Sequence, residues 1–235
     1  MPRRIVIFCG FAVAAAIVFV RLGLWQIDRL HERRTLNATI EQQQRGAPMP
    51  LVNLPADTAL AHYRAASVDG EYDYDHEIVL SNRTRRGSPG VDLLTPVRMA
   101  GRDTAVLVNR GWVYSPDGAS VDQVRWREGG TARLKGYVEL VTADTTLAVS
   151  RHPRVVRHVS RAELRSKIPY PVAPFYLIAF GDTTDMAHPA RRDLPVLDDG
   201  PHRGYAFQWF SFALIAVAGA GIVVRREPKS ARRTV

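Results

Sequence analysis

The chain has 235 residues, a formal net charge of +9, a sequence pI near 10.2 and a single cysteine, Cys9. One cysteine excludes an intramolecular disulfide, a thiolate zinc site, a Cys-x-x-Cys-His haem attachment and a copper-relay dithiol. The basic excess gathers beside two apolar segments, where anionic headgroups account for it, and no basic stripe with interleaved aromatics points to nucleic acid.

The first apolar segment runs from Ile5 to Val20 and on to Leu24, with Arg21 as its one charge. The second, Tyr205 to Val224, has none. A bilayer's hydrocarbon core takes about 20 apolar helical residues to cross, and Arg21 lies near enough to an end to reach the headgroups. A cleaved signal peptide is the competing reading of the N-terminus, since Ala14-Ala15-Ala16 offers small residues. Four further apolar residues, Ile17 to Val20, favour an uncleaved anchor. Cys9 lies deep in this segment and reads as a small apolar side chain.

The tail carries Arg225, Arg226, Lys229, Arg232 and Arg233 against Glu227, and positive flanks stay in the cytoplasm. Two spans place both termini on one side. The expected organisation is a cytoplasmic N-terminus (1–4), a first transmembrane helix (5–24), an extracytoplasmic domain (25–204), a second transmembrane helix (205–224) and a cytoplasmic basic tail (225–235). The expected location is the cell (inner) membrane.

From Leu22 to about Gln44 the residues are good helix formers without proline, so the first helix is expected to continue outward until Gly46, Pro48 and Pro50 end it. Strand patterns follow at Ala65 to Tyr72, Glu77 to Arg83, Val91 to Arg98, Thr104 to Val113, Thr131 to Leu140 and Phe175 to Phe180. The expected domain is α+β, mainly antiparallel and barrel-like. A loop is expected over Arg86 to Gly90. Ser160-Arg161-Ala162-Glu163 has capping-box spacing and predicts a short helix stopped by Pro169 and Pro171. Asp182 to Pro201 reads as an irregular return toward the second apolar segment. About 180 residues between the spans can bury roughly 70% of their unfolded surface, enough for one domain.

No nucleophile elbow, His-Glu-x-x-His pair, phosphate loop or dinucleotide fingerprint is present, so no enzyme is expected and a hydrolase is a distant alternative. His152 and His158 lack ligand spacing, and His62 and His76 sit beside turns as solvated residues. His202 immediately precedes the second span. An imidazole there can ligate haem iron, or it can simply close the helix beside an aromatic belt. Trp209, seven residues on, shares its helical face. Gln208 is a second polar residue near this end, read as a helix–helix hydrogen bond. In Val106 to Val113, Arg110 and Gly111 break an apolar strand, which predicts a bulge. Trp112 would then pack into the core, with Arg110 re-aimed at an acid or stacked on Trp112.

These segments resemble the surfeit locus protein 1 family (Shy1 in yeast), assembly factors of haem-copper cytochrome c oxidase. The resemblance rests on Leu22-Gly23-Leu24-Trp25-Gln26-Ile27-Asp28-Arg29-Leu30, on Tyr63-Arg64 through Tyr72, and on Gly90 to Pro96. Val108-Asn109-Arg110-Gly111-Trp112-Val113, Leu134-Lys135-Gly136 and His202 to Trp209 complete it. It implies a chaperone without turnover that aids haem a insertion into the oxidase core subunit or stabilises that subunit, with haem a synthase as a further partner. It implies His202 as axial haem ligand and Trp209 as a haem-packing residue. Trp25, Gln26, Arg29, Asn109, Arg110, Gly111 and Trp112 are implied as signature residues, structural or at a partner surface. A haem-free membrane scaffold is the alternative. Many relatives carry Asn-Asn where this chain has Gly200-Pro201, so the turn into the helix is expected to differ.

Overall fold

The computed structural model describes residues 2–54, 58–143, 148–181, 187–193 and 197–226. The tail beyond Arg226, including Lys229, Arg232 and Arg233, lies outside them, as does part of the expected return segment. The chain divides into a helical unit, Met1–Thr39 with Leu197–Val235, and a sheet unit, Ile40–Val196.

The helical unit pairs the two apolar segments. Helix α1, Arg3–Arg45, is continuous for 43 residues, as the unbroken run of helix formers predicts. Of the elements between, which belong to the sheet unit, α2 is the single turn Thr58–Ala61 and α3 is Arg161–Lys167. The second long helix, α4, spans His202–Arg226. Both α1 and α4 are long and apolar enough to cross a bilayer. Most of their apolar side chains face outward; Phe11 and Phe207 are each 77% exposed.

Small residues hold the pair together. Ala206, Ala213 and Ala220 are buried at intervals of seven, and Ala12 and Ala16 are buried on α1. Small side chains at such a seam let two helix backbones approach, so dispersion can act where apolar lipid offers no hydrophobic drive. Gly23 completes the seam. A Cβ there would lie 2.7 Å from the Phe210 ring. Beside it Phe19 stacks on Trp209 at 5.7 Å between centroids.

The sheet unit carries eight strands: β1 Met49–Pro50, β2 Ala65–Tyr72, β3 Ile78–Arg85, β4 Ser88–Arg98, β5 Ala105–Tyr114, β6 Thr131–Leu140, β7 Val155–Val156 and β8 Val172–Ala179. Their order is β1-β2-β6-β8-β5-β4-β3-β7, and a further β2–β4 pairing closes a five-stranded circuit, β2-β6-β8-β5-β4. Long β4 serves two neighbours on one edge, pairing β3 over Ser88 to Leu94 and β2 at Val97 and Arg98.

The expected antiparallel pairing holds around the circuit except at β5–β8, which is parallel, with Leu107 opposite Tyr176. The long connection after β6, containing α3, brings β8 into place between β5 and β6, antiparallel to β6 and parallel to β5. The minor pairings β1–β2 and β3–β7 are parallel too. The expected loop at Arg86 is tighter than read. Arg86 and Gly87 both have positive φ, 49° and 81°, and join β3 to β4 as a two-residue hairpin whose twist matches the strands.

Strand β5 is buried along almost its whole length because both its faces are covered. Val106 and Val108 point into the barrel with Val68, Val97, Val138 and Leu177. Leu107 points to the other side, packing with Ile78, Leu94 and Leu164 of α3. Ser160 caps α3 by accepting from Glu163 N at 3.2 Å, but the box is not reciprocal: Glu163 Oε1 accepts from Ser150 N at 2.8 Å instead. The helix thereby ties down the segment before β7.

Candidate functional site

Two constellations collect the residues that the sequence motifs single out, one in each unit. In the helical unit, Gly23, Gln26 and Leu30 turn toward α4, while Trp25 and Arg29 turn outward. Arg29 lies 5.8 Å from the Trp25 ring and 2.6 Å from Glu32, an exposed ion pair that adds little stability. Gln26 is only 8% exposed. Its Oε1 lies 2.8 Å from His202 Nδ1, a bond between residues 176 apart in sequence.

Above this bond Arg34 pairs with Asp199 at 2.9 Å, and Asn37 Nδ2 donates to the Asp198 carbonyl at 3.0 Å. Gly200 adopts φ +70°, and a Cβ there would stand 3.4 Å from His202 Nε2. A side chain at position 200 would therefore press on the Cδ2–Nε2 edge of His202, and glycine avoids that contact. One flank of the helix seam opens as a cleft of about 590 Å³ lined by Ile27, Leu30, Arg34, Arg203, Ala206, Phe207 and Phe210. Trp209 is not on its walls. That ring is engaged by Phe19 and by Phe212 at 5.9 Å.

In the sheet unit, the expected bulge falls at Arg110. Leu93 pairs with Gly111 and Leu94 with Asn109, so Arg110 has no partner on β4 and its side chain is re-aimed. It is fully buried. Nη2 donates to Glu77 Oε2 at 2.6 Å, Nε to Thr95 Oγ1 at 2.7 Å, and Nη1 to the Trp126 carbonyl at 2.7 Å and Glu128 Oε1 at 2.9 Å. The guanidinium lies over the rings of Tyr74, at 5.1 Å, and Tyr72, at 5.7 Å, rather than over Trp112. Arg191 closes the set, donating to Glu128 Oε2 at 2.5 Å and to the Arg110 carbonyl.

Two arginines against two glutamates make this cluster neutral within the core. Burial opposes the Arg110 charge, but the charge and hydrogen bond of Glu77, together with Tyr74 and Glu128, outweigh it and raise the guanidinium pKa above its ordinary value. Burial, then the charge of Glu128, pushes Tyr72 up to about 12, so it presents a neutral ring.

The neighbouring signature residues serve the same bulge. Asn109 donates to Asp92 Oδ2 at 3.0 Å and accepts from Gly111 N at 3.0 Å. Asp92, fully buried, also takes Arg192 at 2.6 Å. Gly111 has φ +133°, and a Cβ there would meet the Ala190 carbonyl at 2.6 Å. Trp112 is half-buried against Gly90 and donates to the Arg83 carbonyl at 3.3 Å.

His62 and His76 are not the solvated residues expected. His62 Nε2 meets Glu139 at 2.8 Å and stacks on Tyr63; His76 Nδ1 meets Asp73 at 2.8 Å. His152 Nδ1 accepts from the backbone of Arg154 and Val155, shaping a turn. Among the described residues, no group of three or more His, Cys, Asp and Glu is placed to hold a metal ion. Sequence reasoning missed Glu77, Glu128, Arg191 and Asp92. Their only signal was an acid at the start of an apolar strand (Glu77) or inside one (Asp92).

A family model described as SURF1 family matches residues 13–214, which takes in both constellations. The chain belongs to the SURF1 family. A SURF1-like protein of Monosiga brevicollis is 26% identical over 222 residues, covering 88% of this chain and 83% of the relative. An uncharacterized SURF1-like protein of Mycobacterium tuberculosis is 25% identical over 231 residues, covering 92% and 82%. The yeast relative named cytochrome oxidase assembly protein SHY1 is 29% identical over 109 residues, covering 46% of this chain and 28% of its own length. In this SURF1 chain the motifs at either end of the sequence meet at Gln26–His202, and the central motif builds the buried Arg110 cluster.

Proposed function

We propose that this SURF1-family chain is a membrane-anchored assembly factor for cytochrome oxidase whose helix pair holds haem a through His202. Membership of the family and the assembly role carried in the name of the yeast relative support the first part. The two long apolar helices support the anchoring, with residues 5–24 and 205–224 as spans, residues 25–204 extracytoplasmic and both termini cytoplasmic, in the inner membrane. The oxidase core subunit is the expected partner, with haem a synthase as a second.

The observation that carries the haem reading is the state of one ring. Among the described residues His202 makes its single side-chain hydrogen bond through Nδ1, and Nε2 has no protein partner. An imidazole with one nitrogen anchored and the other unspent is the donor that haem iron takes. The same helix pair carries an apolar cleft walled by Ile27, Leu30, Ala206, Phe207 and Phe210, with Arg203 as a cation for acidic groups; His202 itself is not on its lining. When bound, haem a supplies the redox iron; the chain's part is to hold it, shield it from water and release it without altering it.

Detergent-purified protein from cells that make haem a tests this reading. A haem a absorption spectrum that is lost in His202→Ala, while the variant stays folded, supports it. A colourless protein that co-purifies with oxidase subunits replaces it with the haem-free scaffold.

A further inference from the structure

We infer that Gln26 is a positioning residue for His202: it selects the imidazole tautomer with the proton on Nδ1 and so presents the Nε2 lone pair as a metal donor. The inference rests on the haem-ligand reading of His202 and adds a residue and a mechanism to it. A neutral imidazole carries one proton shared between two sites, and the hydrogen bond made by one nitrogen decides what the other can do. Gln26 Oε1 is an acceptor and never a donor, so at 2.8 Å from Nδ1 it demands a proton there. Nε2 is then the basic nitrogen. Without that bond the proton has no reason to prefer Nδ1.

Three features keep the bond in place. Gln26 is almost fully buried, so water does not compete for its carbonyl. Gly23, one turn earlier on α1, seats Phe210 two turns beyond His202 on α4, which fixes how closely the helices approach. Gly200 leaves the Nε2 side of the ring free of a Cβ. A residue that holds a ligand in one tautomer and raises its donor strength acts on the metal without touching it.

The test separates this inference from the reading beneath it. In full-length protein labelled with 15N-histidine and held in detergent without haem, the His202 ring signals are identified by their loss in His202→Ala. Wild-type His202 is expected as the Nδ1–H tautomer. Gln26→Leu is expected to shift the population toward Nε2–H and to lower haem affinity about 10–100-fold. Gln26→Glu, which keeps an acceptor, is expected to restore the tautomer and most of the affinity, and to lower the reduction potential of the bound iron. An Nε2–H tautomer in the wild type overturns the inference. So does a Gln26→Leu variant with unchanged tautomer and unchanged haem affinity, provided His202→Ala loses haem. Retention of haem in His202→Ala overturns the ligand reading itself, and the inference falls with it.

Discussion

Arg110 and Glu77 form an ion pair of 2.6 Å at a site where neither side chain is more than 1% exposed. The bulge in β5 delivers the arginine, and the residue between the turn Tyr74–His76 and β3 delivers the acid, so the pair fastens that turn to the central sheet. Removing one partner of such a pair leaves a buried charge uncompensated, at a cost of about 3–5 kcal/mol. Arg110→Met should therefore destabilise the full-length protein by about that much in urea unfolding followed by near-ultraviolet circular dichroism. The double variant Arg110→Met/Glu77→Met should recover part of the loss, because Glu128 keeps Arg191 at 2.5 Å. A single variant within about 1 kcal/mol of wild type would show that the cluster is dispensable.

Two glycines with positive φ should behave differently. Gly87 turns a hairpin with open space around it, and Gly111 lies against the Ala190 carbonyl. Gly87→Ala should cost about 1 kcal/mol, the backbone term alone. Gly111→Ala adds a steric collision to that strain and should cost well over 3 kcal/mol. Thermal midpoints of the two variants check the contrast, and equal shifts would refute it.

Asp73 should set an acid limit on stability. Burial opposes its ionisation, but hydrogen bonds from Tyr170 and His76 outweigh it and hold the carboxyl below its ordinary value. A carboxyl with a depressed folded pKa contributes stability that is complete above its unfolded pKa, about 3.9, and is lost as pH falls through the folded value. Asp73→Asn should therefore be less stable than wild type at pH 6, with the difference shrinking below about pH 4. A difference that is constant from pH 6 to pH 3 would remove Asp73 as its source.

The proposed topology makes a simple demand on fusions. A phosphatase reporter that works only outside the cytoplasm should be active when inserted after Gly129, on an exposed loop of the sheet unit, and inactive when joined after Arg226. Activity at both sites, or at neither, would contradict two spans with the termini inside.

Much of this architecture was legible in the residues. Strands β2 and β6 fall where alternation and turn residues placed them, and the bulge follows from an arginine and a glycine inside an apolar run. Pairing was harder to read. Nothing local in Val172 to Ala179 says that it slides between β5 and β6, because strand order depends on the path of the connection and not on the strand's own pattern. The partners of Arg110 were hidden for a related reason. Glu77, Glu128 and Arg191 are separated from it by 33, 18 and 81 positions, and only the closed sheet brings them together. The Gln26 contact with His202 was likewise invisible: each residue was marked by its own motif, but their meeting depends on how α1 and α4 face each other.

The placement of β8 also has a consequence for how the chain is made. It is the last strand of the circuit to be synthesised, and it alone separates β5 from β6. Until residues 172–179 have emerged, both of those strands keep an open edge, and unpaired edges invite pairing with other chains. A ribosome that stalls ahead of Val172 releases a half-open sheet with two sticky seams and no α4. The vulnerable interval in the life of this protein is therefore the translation of the long connection through α3, and cellular quality control has that window in which to act.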